Sequence, residues 1–324
     1  MRKRILSGMR PTGKLHLGHL VGALDNWVKL QEEYDCFFMV ADWHALMSEY
    51  EDTCGIAENI IDNVLDWLSA GIDPKKSTLF VQSQVPEHLD LYMVFSCLTP
   101  LGWLERCPTY KEQLREVKSR DLNTYAFLGY PVLQAADILL YKAERVPVGE
   151  DQLPHLELTR EIGRRFNSLY QKEVFADPQA ILTNTPRLLG LDGRKMSKSY
   201  NNTINLSDPE ETIQEKVRTM ITDPKRIKVT DKGHPEVCNV YSYYEVFMPQ
   251  LKDEVAQTCR NAEIGCTECK KKLASCMIDK LQPLRQRRKA FSIDTVKNIL
   301  EEGNLKAQAA TELTMCQVRT AIHL

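Results

Sequence analysis

Hydrophobic positions in the first half of the chain form two alternating kinds of run. Unbroken apolar stretches at 36–41 and 78–82, preceded by a shorter one near the start, are typical of strands buried on both faces of a parallel sheet. Between these stretches, apolar residues follow helical spacing after Gly18 and again from Ile56 to Leu68. This alternating order predicts a doubly wound parallel sheet with helices on both faces.

Later segments complete the predicted domain plan. Residues 101–130 are more polar, which predicts a segment inserted outside the sheet. Beyond Asp208 no segment has the pattern of a strand, and apolar residues follow helical spacing to the end. The elements predicted between these points are a helix from Pro131, a strand and turn at 145–149 and a helix at 151–166. We therefore predict an α/β, Rossmann-like domain over 1–205, with 101–130 inserted, and an all-helical domain over 206–324.

Composition and charge narrow the class of protein. The 324 residues carry 42 Lys+Arg against 44 Asp+Glu and 43% hydrophobic residues, a balance that excludes disordered and fibrous chains. No apolar run approaches the length of a membrane span, and the apolar pair after the basic start is too short for a secretory signal. We therefore expect a cytoplasmic protein without a membrane partner. Because the net charge is only −2, nucleic acid would have to bind a local basic patch, and 270–272 and 285–289 are the densest basic runs.

A glycine-rich segment joins the first predicted strand to the first predicted helix and ends in the pattern HxGH. Free N–H groups and a partial positive charge at a helix N-terminus favour phosphate. His16 and His19 are three residues apart, so they share one face of that helix and could donate hydrogen bonds to phosphate oxygens in a transition state. A glycine-rich turn with two surface histidines explains this pattern equally well when it stands alone.

A second glycine-flanked segment, with the sequence KMSKS, lies in the predicted loop at 192–203. Its lysines, Lys195 and Lys198, could fold onto a polyphosphate and neutralise the leaving group. A solvated basic loop is the common alternative. HxGH after the first strand and KMSKS after the last are, however, the signature pair of class I aminoacyl-tRNA synthetases.

Four further segments extend this likeness along the chain. They lie at 7–13, 41–45, 130–137 and 146–152. On these segments and the two motifs, the chain resembles the bacterial tryptophanyl-tRNA synthetases over essentially its whole length. The resemblance implies an enzyme that activates L-tryptophan with ATP to tryptophanyl-adenylate and then charges tRNA(Trp).

The resemblance also implies cofactors and partners. Mg²⁺ would bind the ATP phosphates rather than a cage of protein ligands. A homodimer is implied, and tRNA anticodon recognition falls to the helical domain. Tyrosyl-tRNA synthetase is the alternative, because this close relative shares the Tyr130-x3-Gln134-x2-Asp137 spacing.

Site residues follow from the resemblance position by position. The residues implied in catalysis are His16, His19, Lys195 and Lys198. Asp137 would accept the indole N–H of tryptophan, since indole only donates and a carboxylate only accepts, although a phenol could donate to it as well. Gln152 would face the same substrate. The residues implied in ATP binding are Arg10, Pro11, Thr12, Gly18, His19, Gly149, Glu150, Asp151, Leu188, Lys195, Met196, Ser197, Lys198 and Ser199.

Half of the ten cysteines lie between Cys238 and Cys276. The spacing Cys238-x20-Cys259-x6-Cys266-x2-Cys269 offers four soft ligands, which can bind zinc or a [4Fe–4S] cluster or can remain ordinary thiols. Structural zinc sites more often contain two close Cys-x2-Cys pairs, and this segment has one. The resemblance favours the cluster, because some tryptophanyl-tRNA synthetases carry one with a similar x6, x2 ending.

Overall fold

The computed structural model of the chain describes residues 2–108, 110–111, 114, 121–182 and 188–324. Its centre is a parallel five-stranded sheet with the order β3-β2-β1-β4-β5, so the predicted doubly wound sheet is confirmed. The strands are β1 (Arg4–Met9), β2 (Asp35–Val40), β3 (Ser77–Val81), β4 (Arg145–Val148) and β5 (Gln179–Leu182). The sequence pattern missed β5, because this short edge strand is only partly buried and carries no long apolar run.

Helices cover the sheet and form most of the chain beyond it. The α-helices are Leu17–His19, Asp25–Glu33, Asp42–Glu49, Ile56–Ala70, Glu87–Leu98, Leu101–Glu105, Tyr125–Leu140, Leu153–Tyr170, Glu210–Thr219, Asn239–Phe247, Lys252–Arg260, Cys266–Ala290 and Ile293–Ile322. A π-helical turn, Leu20–Leu24, joins the first two. Among the described residues, no helix is both long enough and apolar enough to span a bilayer. The cytoplasmic location stays a prediction.

The helix expected from Pro131 begins earlier than predicted. It spans Tyr125–Leu140, and its N-terminus is capped by Thr124, whose hydroxyl oxygen accepts a hydrogen bond from the N–H of Phe127 at 3.2 Å. Pro131 therefore lies inside the helix, where burial of the surrounding apolar residues outweighs the missing backbone donor. The polar segment predicted at 101–130 is thus helical at its end, and part of it lies outside the described residues.

Two hydrophobic clusters, one on each face of the sheet, form the core. On one face, Trp27 stacks on Phe38 with ring centroids 4.3 Å apart, and Trp67 meets Trp27 edge-on at 5.1 Å. On the other face, Phe37 and Phe80 pack around Tyr141. Because successive strand residues point to opposite faces and both faces are buried, the strands appear in the sequence as unbroken apolar runs.

The C-terminal helix Ile293–Ile322 covers the outer edge of β3. A Cβ atom at Gly303 would stand 1.7 Å from the carbonyl oxygen of Leu79, so the helix can approach the strand only with glycine at this position. Next to it, Oδ1 of Asn304 accepts a hydrogen bond from the N–H of Val81 at 2.9 Å. This edge of the sheet is therefore closed by side-chain and backbone contacts.

Both basic runs have residues that are engaged within the chain. In the first run, Nζ of Lys272 lies 2.8 Å from Oε1 of Glu254. Arg288, in the predicted RNA-facing run 285–289, pairs with Asp62 and Asp66 of the Ile56–Ala70 helix. The Asp66 side chain is fully buried, so removing Arg288 would leave a buried carboxyl group without its charge partner. The expectation of a free basic patch is therefore wrong for Arg288, which instead joins the C-terminal helices to the sheet domain.

Candidate active site

A cavity of about 440 Å³ opens where the carboxyl ends of β1, β2 and β4 meet. The strand order reverses at β1, so this is the crevice in which doubly wound sheets bind ligands. Its walls come from strand ends at Gly8, Ala41 and Val148 and from the Tyr125–Leu140 helix, which contributes Asp137. The volume suits a small-molecule substrate.

The two motif histidines cap the first helical turn. Nδ1 of His16 accepts a hydrogen bond from the N–H of Gly18, and Nδ1 of His19 accepts one from the N–H of His16, both at 3.1 Å. Burial, followed by the charge of Lys198, lowers the pKa of His16 to about 4, and burial also lowers the pKa of His19 well below its usual value. Both rings are therefore neutral at pH 7, and each keeps its proton on Nε2 as a free donor.

The second motif lies against the first. Nζ of Lys198 is 3.6 Å from the position that a Cβ of Gly13 would occupy, and Gly13 adopts a left-handed φ of +118° that favours glycine. Burial, then the nearby charge of Arg10, lowers the pKa of Lys198 to about 8. The structure thus brings Lys198 to the two histidines, whereas the side chain of Lys195 is exposed to solvent.

Asn202, which the sequence analysis did not select, fixes the conformation of the KMSKS loop. Its Oδ1 accepts a hydrogen bond from the N–H of Ser197 at 2.8 Å, and its Nδ2 donates to Oδ1 of Asp192 at 2.7 Å and to the carbonyl of Lys195 at 3.1 Å. Met196 is buried in the hydrophobic core and anchors the same loop. In this conformation the backbone of the loop is held as a defined turn, while the side chains of Arg194 and Lys195 stay exposed.

Backbone hydrogen bonds connect the residues that follow the KMSKS loop to the HxGH segment. The N–H of Leu17 donates to the carbonyl of Ile204 at 3.0 Å, and the N–H of Leu206 donates to the carbonyl of Leu15 at 2.9 Å. The two motifs are therefore held together by an antiparallel contact. The side chain of Ser199 lies outside the described residues.

The segment after β4 contributes to another wall of the cavity. Gly149 and Gln152 line the cavity, whereas Glu150 and Asp151 are exposed. Nε2 of Gln152 donates to Oδ2 of Asp151 at 2.8 Å. The helix predicted from 151 begins at Leu153, because residues 150–152 form a single 3₁₀ turn after the strand.

The remaining residues of the predicted ATP set lie in different environments. Arg10 is exposed, lines the cavity and donates from Nη1 to Oγ of Ser48 at 3.4 Å. Pro11 is buried and Thr12 is half-buried in the turn after β1. Leu188 is buried in the core beside the KMSKS loop, so its side chain has a packing role.

Asp137 is buried and already bound by three donors. Its Oδ1 accepts from Nε2 of Gln82 and from Nδ1 of His88, both at 2.7 Å, and its Oδ2 accepts from Nε2 of His44 at 2.8 Å. Burial alone raises the pKa of this carboxyl group, but the hydrogen bonds from His44 and His88 hold it at about 2. Asp137 is therefore an ionised acceptor, and both it and His44 line the cavity.

His44, Gln82 and His88 were not selected from the sequence as site residues. A signal existed for two of them, because Gln82 directly follows β3 and His44 lies four residues beyond β2, where parallel strands present functional side chains. His88 carries no such signal, since it lies inside the first turn of the Glu87–Leu98 helix.

The four spaced cysteines come close to one another. Burial raises the pKa of Cys238, Cys259 and Cys269, and the neighbouring thiols, Cys266 among them, add to the increase. In the part of the chain that the structure describes, however, no three His, Cys, Asp or Glu side chains are arranged to hold a metal ion. The metal site stays a prediction.

Comparison with known proteins agrees with the geometry of the crevice. A family model described as tRNA synthetases class I (W and Y) matches residues 2–282. The tryptophan–tRNA ligase of Thermotoga maritima is 52% identical to this chain, and the match covers 99% of each of the two chains. That of Aquifex aeolicus is 43% identical, over 99% of this chain and 100% of the relative.

Solved structures agree as well. Tryptophanyl-tRNA synthetase from Campylobacter jejuni, complexed with ADP and tryptophan, superposes with a TM-score of 0.89 at 32% identity and covers 99% of this chain and 100% of its own. The tyrosyl-tRNA synthetase of Archaeoglobus fulgidus reaches a TM-score of 0.66 at 22% identity, which shows the shared fold alone. The chain therefore belongs to the class I tRNA synthetases, in the family of the tryptophan and tyrosine enzymes, and within that family to the tryptophan–tRNA ligases.

Proposed function

We propose that this protein activates L-tryptophan with ATP and charges tRNA(Trp). The observation that supports the proposal is a cavity at the carboxyl ends of the strands that is lined by Arg10 and the buried acceptor Asp137, in a fold that also packs Lys198 against Gly13 of the segment leading to HxGH. In the reaction, the tryptophan carboxylate attacks the α-phosphate of ATP, and pyrophosphate leaves. The tryptophanyl group of the adenylate then forms an ester with the 2′-hydroxyl of the terminal ribose of the tRNA, and AMP leaves.

The catalytic residues act by positioning and charge stabilisation, because this reaction needs no covalent nucleophile. The Nε2–H groups of His16 and His19 are preformed donors for phosphate oxygens, and Lys198 supplies positive charge beside them. Lys195 would join them when the loop folds onto the bound triphosphate. Mg²⁺ would bind the phosphates and spread their charge.

Tryptophan would occupy the cavity, with its indole N–H directed at Asp137 and with Gln152 facing the same substrate, since both residues line the cavity. ATP would bind next to it, held by the residues proposed for ATP between Arg10 and His19, at 149–151 and along the KMSKS loop, of which Arg10 and Gly149 line the cavity. An acceptor-only carboxylate pairs with a donor-only indole, and any substrate without a donor leaves it incompletely paired.

ATP–pyrophosphate exchange tests the proposed function. Purified protein should catalyse exchange that depends on tryptophan, and it should charge tRNA(Trp) with tryptophan. The same assay with tyrosine is the control, since the two substrates share the family and differ in the ring. A tyrosine-dependent signal larger than the tryptophan signal would assign the chain to the alternative enzyme.

We further propose that residues 1–205 are the catalytic domain and that 206–324 recognise the tRNA anticodon. Support comes from the helices beyond residue 205, which add no strand to the sheet in the described chain.

A homodimer is proposed as well. Three large apolar side chains, Met93, Leu101 and Tyr125, are exposed by 61–74% on helices that pack together, which is a candidate dimer surface.

For the cysteine group we propose a [4Fe–4S] cluster, with zinc as the alternative. Support comes from the four neighbouring thiols and from the position of two of them. Cys266 and Cys269 are three residues apart in the first turn of the Cys266–Ala290 helix, so both side chains lie on one face of it. Nη1 of Arg226 lies 3.8 Å from Sγ of Cys259. When bound, the cluster would cross-link the segment from 238 to 269 through its four cysteines.

Metal analysis after anaerobic purification tests the cluster. We expect about four irons and broad visible absorption from thiolate-ligated iron. Cys266→Ser should lose the iron, whereas Cys316→Ser, at an exposed thiol of the last helix, should keep it. One zinc without iron would establish the alternative, and metal-free, active protein would reduce the four cysteines to ordinary thiols.

A further inference from the structure

A chain of buried polar side chains leads from Asp137 away from the cavity. His88 and Gln82 both donate to Oδ1 of Asp137, and Nε2 of His88 lies 2.9 Å from the hydroxyl of Tyr141. His88, Gln82 and Tyr141 are each 0% exposed, and none of them lines the cavity. They cannot touch a substrate, so any effect they have on binding passes through Asp137.

The proton positions in this chain follow from burial. Burial, followed by the charge of Asp137, raises the pKa of Tyr141 well above its usual value, so its hydroxyl keeps its proton and can donate to Nε2 of His88. A neutral imidazole that accepts at Nε2 carries its proton on Nδ1, which faces Asp137. Tyr141 therefore selects the tautomer in which His88 donates to the carboxylate.

These contacts determine which carboxylate oxygen of Asp137 can still accept a hydrogen bond from a ligand in the cavity. A carboxylate oxygen accepts about two hydrogen bonds, and Oδ1 already has two, from His88 and Gln82. Oδ2 accepts one from His44, which itself lines the cavity, and this leaves one further acceptor direction on Oδ2. With both oxygens bound, the carboxylate cannot rotate without breaking charge-assisted hydrogen bonds.

We propose that His88, oriented by Tyr141, is a positioning residue for substrate selection, which holds the Asp137 carboxylate so that a single acceptor direction meets the ring N–H of the amino acid. This inference rests on the proposed tryptophan specificity. The arrangement is a tertiary one, because the three residues behind Asp137 belong to the segment after β3, the Glu87–Leu98 helix and the end of the Tyr125–Leu140 helix.

Two isosteric replacements of His88 separate positioning from simple support of a buried charge. In His88→Asn the amide nitrogen takes the place of Nδ1 and can still donate to Asp137. In His88→Gln the amide group takes the place of Nε2, so the contact with Tyr141 is kept and the donor to Asp137 is lost. Ser96→Ala is the matched control, because Ser96 lies on the same helix and its hydrogen bonds are to Tyr92 of that helix, not to Asp137 or His88.

The readout is the KM for tryptophan and the KM for ATP in pyrophosphate exchange. Loss of a hydrogen bond to a charged group should raise the tryptophan KM of His88→Gln about tenfold or more and leave the ATP KM unchanged. His88→Asn and Ser96→Ala should stay within a few-fold of the wild type. Wild-type protein without tryptophan-dependent exchange would refute the proposed function instead, so the two failures are distinguishable.

Equal tryptophan KM values in all three variants and the wild type would overturn the positioning role, and a drop in melting temperature alone would leave His88 a purely structural residue. Should His88→Gln fail to fold, Tyr141→Phe removes only the hydroxyl that orients the imidazole. We expect a several-fold higher tryptophan KM for that variant, and an unchanged KM would again overturn the proposal.

Discussion

Replacing Lys198 with alanine should lower the rate of tryptophanyl-adenylate formation about 100-fold or more, with little change in tryptophan affinity. The ammonium group of Lys198 lies beside Gly13 and the two capping histidines, and the negative charge on the phosphates grows most in the transition state. Single-turnover adenylate formation and tryptophan binding measure the two quantities separately. Lys75→Ala is the matched control, since Lys75 is exposed and precedes β3, at the opposite end of the sheet.

The pH dependence of the reaction should report the same lysine. Because its pKa in the free protein is about 8, Lys198 is charged below that pH and loses its charge as the pH rises through it. kcat/KM for ATP, which reflects free-enzyme groups, should therefore fall above pH 8. Lys198→Arg keeps the charge, and its alkaline limb should move to higher pH. If the alkaline limb of Lys198→Arg lies at the same pH as that of the wild type, the titration belongs to another group.

Lys195 provides a contrast within the same motif. Its side chain is exposed in this conformation of the loop, so its contribution depends on the loop folding onto ATP. Lys195→Ala should lower adenylate formation far more than tryptophan affinity. Equal losses in both quantities would argue against a role confined to the transition state.

Asp137→Asn should lower kcat/KM for tryptophan about 100-fold or more, the second large effect expected. The amide has one acceptor oxygen where the carboxylate has two, and three donors, Gln82, His88 and His44, compete for it. The amide nitrogen would also face either the indole N–H or one of these donors. Each buried donor left without a partner costs about 1–3 kcal/mol, so the variant should be less stable as well.

Exchange kinetics with tryptophan and tyrosine, together with thermal unfolding, measure both consequences of Asp137→Asn. The KM for ATP serves as the internal control, because the two motifs proposed to bind phosphate lie after β1 and in the KMSKS loop rather than on the Tyr125–Leu140 helix. An Asp137→Asn protein that activates tryptophan normally would show that the indole is recognised elsewhere in the cavity.

The sequence by itself determined the parts of this protein that depend on neighbouring residues. Runs such as 36–41 are typical of strands buried on both faces, and their alternation with segments of helical spacing predicted the parallel sheet and its helices from local pattern. The HxGH and KMSKS segments were visible because their chemistry is confined to a few consecutive residues, and they carried the family resemblance. Boundaries were less certain, as Pro131 shows, because packing overrides the local cost of a proline.

Only the tertiary structure decided which distant side chains meet. Asp137 was selected from the sequence, but its donors come from three other elements, and no local spacing predicts that His44, Gln82 and His88 converge on it. The same holds for Arg288, whose basic run indicated a nucleic-acid surface until its partners were known. Hydrogen bonds and ion pairs between distant segments are set by how the layers pack, because a buried charge must be paired with whatever group the fold brings to it.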